Sequence, residues 1–165
     1  MVKYKLETDK YTNSLVGAFL AGEVKLTYTN KIKKADRSKV SSSQKAVDIL
    51  RRIFTEETIE LREQFAFLLL NRANEVIGWY NLSIGSISGT VADARYIVQC
   101  AILANASAVI LAHNHPSGAL QPSQSDITLT DKIANACLLF DIKVLDHIIL
   151  TSESFYSFAD NGKLN

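Results

Sequence analysis

Short apolar runs that alternate with helical stretches are the feature that most limits how this chain can fold. Residues 64–70 (QFAFLLL) and 108–112 (AVILA) are densely apolar, which is typical of strands buried on both faces of a sheet. A turn at residues 71–74 leads into an antiparallel partner from Val76, and a further strand is predicted over residues 143–150. The residues after it are expected to form a polar tail. Since helical segments separate the strands, we predict an α/β fold with a mixed sheet between helices.

Capping signals predict where the helices begin. The first helix follows the serine cluster at residues 41–43, and residues 55–62 are predicted to form a second short helix or turn. Thr90, with Asp93 three residues later, predicts a capping box at the start of the next helix. The last helix is expected over residues 123–140.

Charge divides the chain near residue 40. Residues 1–40 hold 9 Lys or Arg and 4 Asp or Glu, a balance of +5, while the other 125 residues carry −4. Alternation of apolar and polar residues over 2–7 and 24–29 predicts two strands, so we expect a basic β extension over residues 1–40 and one domain over residues 41–165. A patch that binds DNA or RNA is one interpretation of the lysines. We favour another, because edge strands commonly carry lysine to prevent pairing with other edges.

Composition excludes several classes of protein. The chain has 165 residues, of which 47% are apolar and 21% charged, as in ordinary globular proteins. Two cysteines, Cys100 and Cys137, are too few for a disulfide framework, so we expect a reduced, cytoplasmic chain. The apolar run at residues 15–21 is shorter than the roughly 20 residues of a membrane span, and no membrane partner is expected.

The segment HNHPSGALQPSQSD, residues 113–126, carries the chemistry. His113 and His115 are two apart at the end of a predicted strand, so both imidazoles can point to one place. Asp126 lies in the first turn of the following helix. Two imidazoles and one carboxylate are three ligands of a tetrahedral zinc site whose fourth position is open, as in catalytic zinc. Bound zinc lowers the pKa of its water and so prepares a nucleophile for a carbonyl carbon.

The same residues can also be explained by purely structural roles. Ser123 and Asp126 also fit a helix capping box, and a histidine pair beside a turn can be merely polar. The complete spacing H-x-H-x7-S-x2-D, however, arises by chance on the order of 10⁻⁴ times in such a chain, which favours a metal site. Asn114 and Ser117 lie in the same loop and either contact substrate or shape the turn, and we favour the turn.

This spacing resembles the JAMM motif of the MPN+/JAB metalloprotease domains. The apolar residues 108–112 before it and residues 145–149 (LDHII) after it are similar to the RadC-like JAB branch, and the resemblance extends over residues 41–162. It implies a JAB/MPN fold, a three-layer arrangement like that of cytidine deaminases. It also implies Zn²⁺ as cofactor, His113, His115 and Asp126 as its ligands, and Ser123 as the group that stabilises the oxyanion.

The resemblance further implies a glutamate that acts as general base before a buried strand. Glu63, directly before residues 64–70, fits that position best. It would take a proton from the attacking water and deliver it to the leaving amine. Four other glutamates remain alternatives for this role: Glu56, Glu57, Glu60 and Glu75.

A third histidine, His147, follows Asp146 in the last predicted strand. Three roles are open to it: a fourth metal ligand, a residue that hydrogen-bonds to one of the ligands, or a hydrogen-bonded structural residue. We favour the structural role because the motif already supplies three ligands. Cys100 and Cys137 are predicted to lie in the core.

The function that the resemblance implies is zinc-dependent hydrolysis of an amide or isopeptide bond in a peptide substrate of unknown identity. Zinc deamination of a nucleobase would need H-x-E and P-C-x-x-C, and the chain has neither. An alternative is a DNA-associated binding or repair accessory protein without peptidase activity. RadC-like proteins are labelled DNA repair proteins and carry a helix-hairpin-helix segment ahead of this domain, whereas residues 1–40 are too short for one.

Overall fold

The computed structural model describes residues 28–29, 32–84 and 92–164. In this part of the chain one sheet has five strands in the order β2-β1-β3-β4-β5. The strands are β1 (Gln64–Leu70), β2 (Val76–Ile84), β3 (Ala108–Asn114), β4 (Lys143–Leu150) and β5 (Phe155–Ser157). The sheet is mixed, as predicted, because β3 and β4 run parallel and the other neighbours antiparallel.

Helices cover both faces of this sheet. They are α1 (Ser43–Leu50), α2 (Glu56–Ile59), α3 (Ala94–Leu103) and α4 (Gln124–Leu138), and a short 3₁₀ turn is formed by Lys34–Asp36. Alternate residues of β1 enter two separate cores, since side chains alternate across a strand. Phe67 packs in a core with Ile97 of α3 and Ile133 of α4, whereas Leu68 shares the opposite core with Val47 of α1. The result is the three-layer α/β arrangement that was expected.

Most of the predicted elements are present, and the strand that precedes the motif is longer than predicted. β1 and β4 have the predicted bounds, and α1 is capped by Ser42, whose hydroxyl accepts from the Lys45 amide at 3.3 Å. β3 continues to Asn114, so His113 lies within the strand and not after it.

Two predictions about element ends are wrong. The third helix starts at Ala94, and its N-cap is Asp93, whose side chain accepts from the Arg95 amide at 3.0 Å. Thr90, the predicted cap, lies outside the described residues. The expected polar tail instead contains β5, which pairs with β4 and is followed by the fully buried Phe158. A three-residue strand is too short to show periodicity in sequence.

The basic extension cannot be compared with the structure over most of its length. The strand expected at residues 2–7, and the one expected at residues 24–29 apart from Tyr28 and Thr29, lie outside the described residues. Four of its basic residues are described: Lys33, Lys34 and Lys39 are exposed and Arg37 is partly buried. No helix in the described ranges has the length and apolarity that crossing a bilayer requires.

Candidate metal centre

The two motif histidines meet at the carboxyl end of β3. His113 is on the strand, and the His115 amide donates to the Leu150 carbonyl at 2.9 Å, which prolongs the pairing with β4 by one residue. Both histidines therefore stay in extended backbone, where residues two apart face the same side. Their Nε2 atoms are 3.0 Å apart. The sequence predicted this convergence, and the structure brings the two side chains together.

The third residue of the cluster comes from the first turn of α4. Asp126 Oδ1 lies 3.4 Å from His113 Nε2, and Asp126 Oδ2 lies 3.7 Å from His115 Nε2. One ligand atom from each residue can be chosen so that all lie within 4.8 Å of one another. We call His113, His115 and Asp126 the candidate metal centre.

Ser123 is the N-cap of α4 and holds the Asp126 carboxylate. Its hydroxyl and its amide both donate to Asp126 Oδ2, at 2.6 and 2.7 Å, while the Asp126 amide donates back to the hydroxyl at 3.2 Å. The capping box that the sequence allowed is thus present in full. It does not compete with a metal site, because it leaves Oδ1 of Asp126 facing His113.

The ring of His115 is oriented by the loop that follows it. Its Nδ1 lies 2.6 Å from the Ala119 carbonyl, which can only accept, so Nδ1 carries the hydrogen. Gly118 permits this return of the chain because its φ of 78° is a conformation that other residues rarely adopt. In neutral His115 the lone pair is therefore on Nε2, on the side of the candidate metal centre. Ser117, whose hydroxyl accepts from the Ala119 amide at 3.4 Å, contributes to this turn as predicted.

The electrostatics of the cluster favour a bound cation. Burial lowers the pKa of His113 to about 4, so this ring is neutral near pH 7. Burial acts against ionisation of Asp126, yet hydrogen bonds and the neighbouring histidines hold the pKa of its carboxyl well below the usual range. The same carboxylate raises the pKa of His115. Neutral imidazole and ionised carboxylate are the forms that coordinate zinc, so the residues present fit that ion.

Glu63 lies directly before β1, which pairs with β3 so that Phe65 is opposite His113. It is partly buried, and its charge contributes to the raised pKa of His115. Glu75, by contrast, is at the other end of the β1–β2 hairpin, where it accepts from Asn71 at 2.8 Å. The remaining alternatives, Glu56, Glu57 and Glu60, are exposed on and just after α2. Of the five glutamates considered, Glu63 is the one directly before the strand that pairs with the histidine strand.

Asn114 connects the histidine strand to the segment that carries Glu63. It is fully buried, and its side-chain oxygen accepts from the Gln64 amide at 2.8 Å. Its amide group donates to the carbonyls of Arg62 at 2.9 Å and Ile59 at 2.6 Å. The preference for a turn-shaping role was too narrow, because Asn114 braces two elements that are distant in sequence. The sequence feature that could have indicated this role is the position of Asn114 between the two motif histidines.

His147 lies behind His113, where it does not face the candidate metal centre. Its Nε2 is 2.8 Å from His113 Nδ1 and its Nδ1 is 2.6 Å from the hydroxyl of Thr130. Burial, and then His113, lower the pKa of His147 well below its usual value. His147 is thus hydrogen-bonded and buried, with one ring nitrogen against Thr130 and the other against the His113 nitrogen that faces away from His115 and Asp126. Thr130 was not predicted from the sequence, although its position four residues after Asp126 places it on the same face of α4.

Comparison with known proteins places these residues in a family. The family model of the RadC-like JAB domain matches residues 40–163. A UPF0758 protein of Flavobacterium johnsoniae is 43% identical over 124 residues, which are 75% of this chain and 53% of the relative. UPF0758 protein YfjY of Escherichia coli is 48% identical over 103 residues, 62% of this chain and 64% of the relative. A UPF0758 protein of Aeromonas salmonicida is 47% identical over 105 residues, 64% and 48% of the two chains. The chain thus spans about half to two thirds of the length of these relatives.

Proposed function

The chain belongs to the RadC-like JAB domain family, and we propose that it is a zinc-dependent hydrolase that cleaves an amide or isopeptide bond. One observation carries the proposal. Two imidazoles present Nε2 atoms 3.0 Å apart beside an ionised carboxylate, at a strand end where these three side chains can ligate one metal ion. Three protein ligands with a remaining open position are typical of catalytic zinc.

The proposed zinc ligands are His113 Nε2, His115 Nε2 and the carboxylate of Asp126. When bound, zinc acts as a Lewis acid on the carbonyl oxygen and makes water acidic enough to be deprotonated near neutral pH. The protein's own part is orientation. The Ala119 carbonyl fixes the ring of His115, and Ser123 fixes the carboxylate of Asp126.

Glu63 is proposed as the general base. Its carboxylate would accept a proton from the attacking water and donate it to the nitrogen of the leaving amine. Ser123 is proposed to donate a hydrogen bond to the oxyanion that develops on the substrate carbonyl. To do so, its hydroxyl hydrogen must turn away from Asp126 Oδ2, to which it donates at 2.6 Å.

We place this activity in the cytoplasm, with a peptide or isopeptide as substrate. The free thiols of Cys100 and Cys137 support a reducing compartment. The substrate itself is best found by capturing partners on the Glu63→Gln protein, in which ligands are retained while the base is removed.

The test of the proposal is the metal content of the purified full chain. We expect about one zinc per chain in the wild type, and loss of zinc in His113→Ala and Asp126→Ala. Asp131→Ala is the matched control, because Asp131 is an exposed aspartate on the same helix. The proposal is wrong if the wild type holds no transition metal and added zinc neither binds nor stabilises it.

A further inference from the structure

Thr130 has a hydroxyl that makes two short contacts at once. Its Oγ1 is 2.6 Å from the backbone carbonyl oxygen of Asp126 and 2.6 Å from Nδ1 of His147. A carbonyl oxygen can only accept, and a hydroxyl has one hydrogen to donate. Both contacts are favourable only if Thr130 donates to Asp126 and His147 Nδ1 donates to Thr130.

The hydrogen on Nδ1 of His147 determines the role of its other nitrogen. The ring is fully buried beside the rings of Phe65 and Phe158, and no carboxylate of the described residues hydrogen-bonds to it. Since such an environment favours the neutral form, Nε2 of His147 carries a lone pair and accepts from His113 Nδ1 at 2.8 Å.

His113 is thereby left with its lone pair on Nε2. This atom is 3.0 Å from Nε2 of His115 and 3.4 Å from Oδ1 of Asp126. If Thr130 instead donated to His147 and His147 donated to His113, the hydrogen of His113 would be on Nε2, inside the candidate metal centre. This arrangement would also leave the oxygens of Thr130 and Asp126 2.6 Å apart without a hydrogen between them.

We propose that Thr130 and His147 are positioning residues that hold His113 in its Nδ1–H tautomer, with Nε2 free to bind a metal ion. Partners of this kind behind a ligating histidine fix its tautomer and orientation. The inference rests on the proposed function for the identity of the ion. The hydrogen bonds that link Asp126, Thr130, His147 and His113 are independent of that function, because they are present without a metal ion.

The tautomers can be measured directly, because the chain has 3 histidines and their ring nitrogens are readily assigned. In ¹⁵N NMR of the metal-free full chain, we expect hydrogen on Nδ1 of both His113 and His147. In Thr130→Val, which keeps the side-chain shape without the hydroxyl, His113 should shift towards Nε2–H, and in Thr130→Ser it should not. An Nε2–H tautomer of His113 in the wild type, or an unchanged tautomer in a folded Thr130→Val, would overturn the proposal.

Zinc affinity, measured by competition with a chromophoric chelator, is the second readout. Thr130→Val should bind zinc about 10–100-fold more weakly than the wild type, and Thr130→Ser should stay within about threefold. Equal affinity in Thr130→Val and the wild type would contradict the proposal. If the wild type binds no zinc, the proposed function fails, and the NMR spectra still decide whether Thr130 and His147 fix the tautomer. If Thr130→Val does not fold, the wild-type spectrum decides alone.

Discussion

The side chain of Asn114 hydrogen-bonds the backbone on both sides of Glu63. It accepts from the Gln64 amide at 2.8 Å and donates to the Arg62 carbonyl at 2.9 Å. Asn114, which lies between the proposed ligands His113 and His115, therefore also holds the backbone of the proposed base in place. The distance between β3 and Glu63 is thereby fixed by hydrogen bonds that need no metal.

We predict that Asn114→Ala lowers the free energy of unfolding by about 2–4 kcal/mol, because it leaves buried backbone groups without partners. Urea denaturation measures this change. Asn161→Ala is the matched control, since Asn161 is exposed and its side chain makes one hydrogen bond, to the Ser157 carbonyl at 2.8 Å. It should lower the free energy of unfolding by less than about 1 kcal/mol. Equal effects of the two changes would show that Asn114 has no bracing role.

Glu63→Gln separates metal binding from proton transfer. The variant should retain zinc and lower kcat on a captured substrate by about 10²–10⁴-fold, because the amide cannot accept the proton. Glu60→Gln, an exposed glutamate three residues earlier, should keep the wild-type kcat. Zinc content and single-turnover rates provide the comparison. Loss of zinc from Glu63→Gln, or an unchanged rate, would mean that another group is the base.

Zinc should stabilise the folded chain. At a free zinc concentration about 100 times Kd, binding adds about 2.7 kcal/mol to the free energy of unfolding, because the ligands converge only in the folded state. Thermal unfolding with and without a chelator measures the effect, which Asp126→Ala should abolish and Asp131→Ala should preserve. A Tm that zinc leaves unchanged in the wild type contradicts this prediction.

The stability of the metal-free chain should fall in mild acid. In the unfolded chain a histidine has a pKa of about 6.5, whereas burial lowers that of His113 to about 4 in the folded state and lowers that of His147 also. Between these values the unfolded chain binds more protons, so the free energy of unfolding decreases as the pH falls. His115, whose pKa is raised, contributes in the opposite sense, and that contribution is lost as the pH rises through its folded value.

Urea denaturation of the metal-free chain at about pH 7 and about pH 5 tests this dependence. We expect a decrease of more than about 1 kcal/mol in the free energy of unfolding at the lower pH. Constant or increased stability at about pH 5 would contradict this prediction.

Local patterns predicted the parts of the site that are close together in sequence. The period-two spacing of His113 and His115 on an apolar strand predicted their convergence, and the capping spacing predicted that the helix begins at Ser123 with Asp126 in its first turn. The contacts of His147 and Asn114 were not predictable in this way. They depend on the pairing of β3 with β4 and β1, and one sequence does not show which strands are neighbours. The end of the chain was misjudged because β5 gains its stability from pairing with β4 and not from its own composition.

Asp126 makes two separate contributions. Its carboxylate belongs to the candidate metal centre, and its backbone carbonyl accepts the hydrogen bond of Thr130. Both contributions depend on the rotational phase of α4, because residues four apart share a face only while the helix is continuous. One residue inserted between positions 126 and 130 would turn Thr130 by about 100° and remove it from His147. An insertion between Leu120 and Ser123 would leave that phase unchanged. Variation in length should therefore be tolerated before this helix begins and not between Asp126 and Thr130.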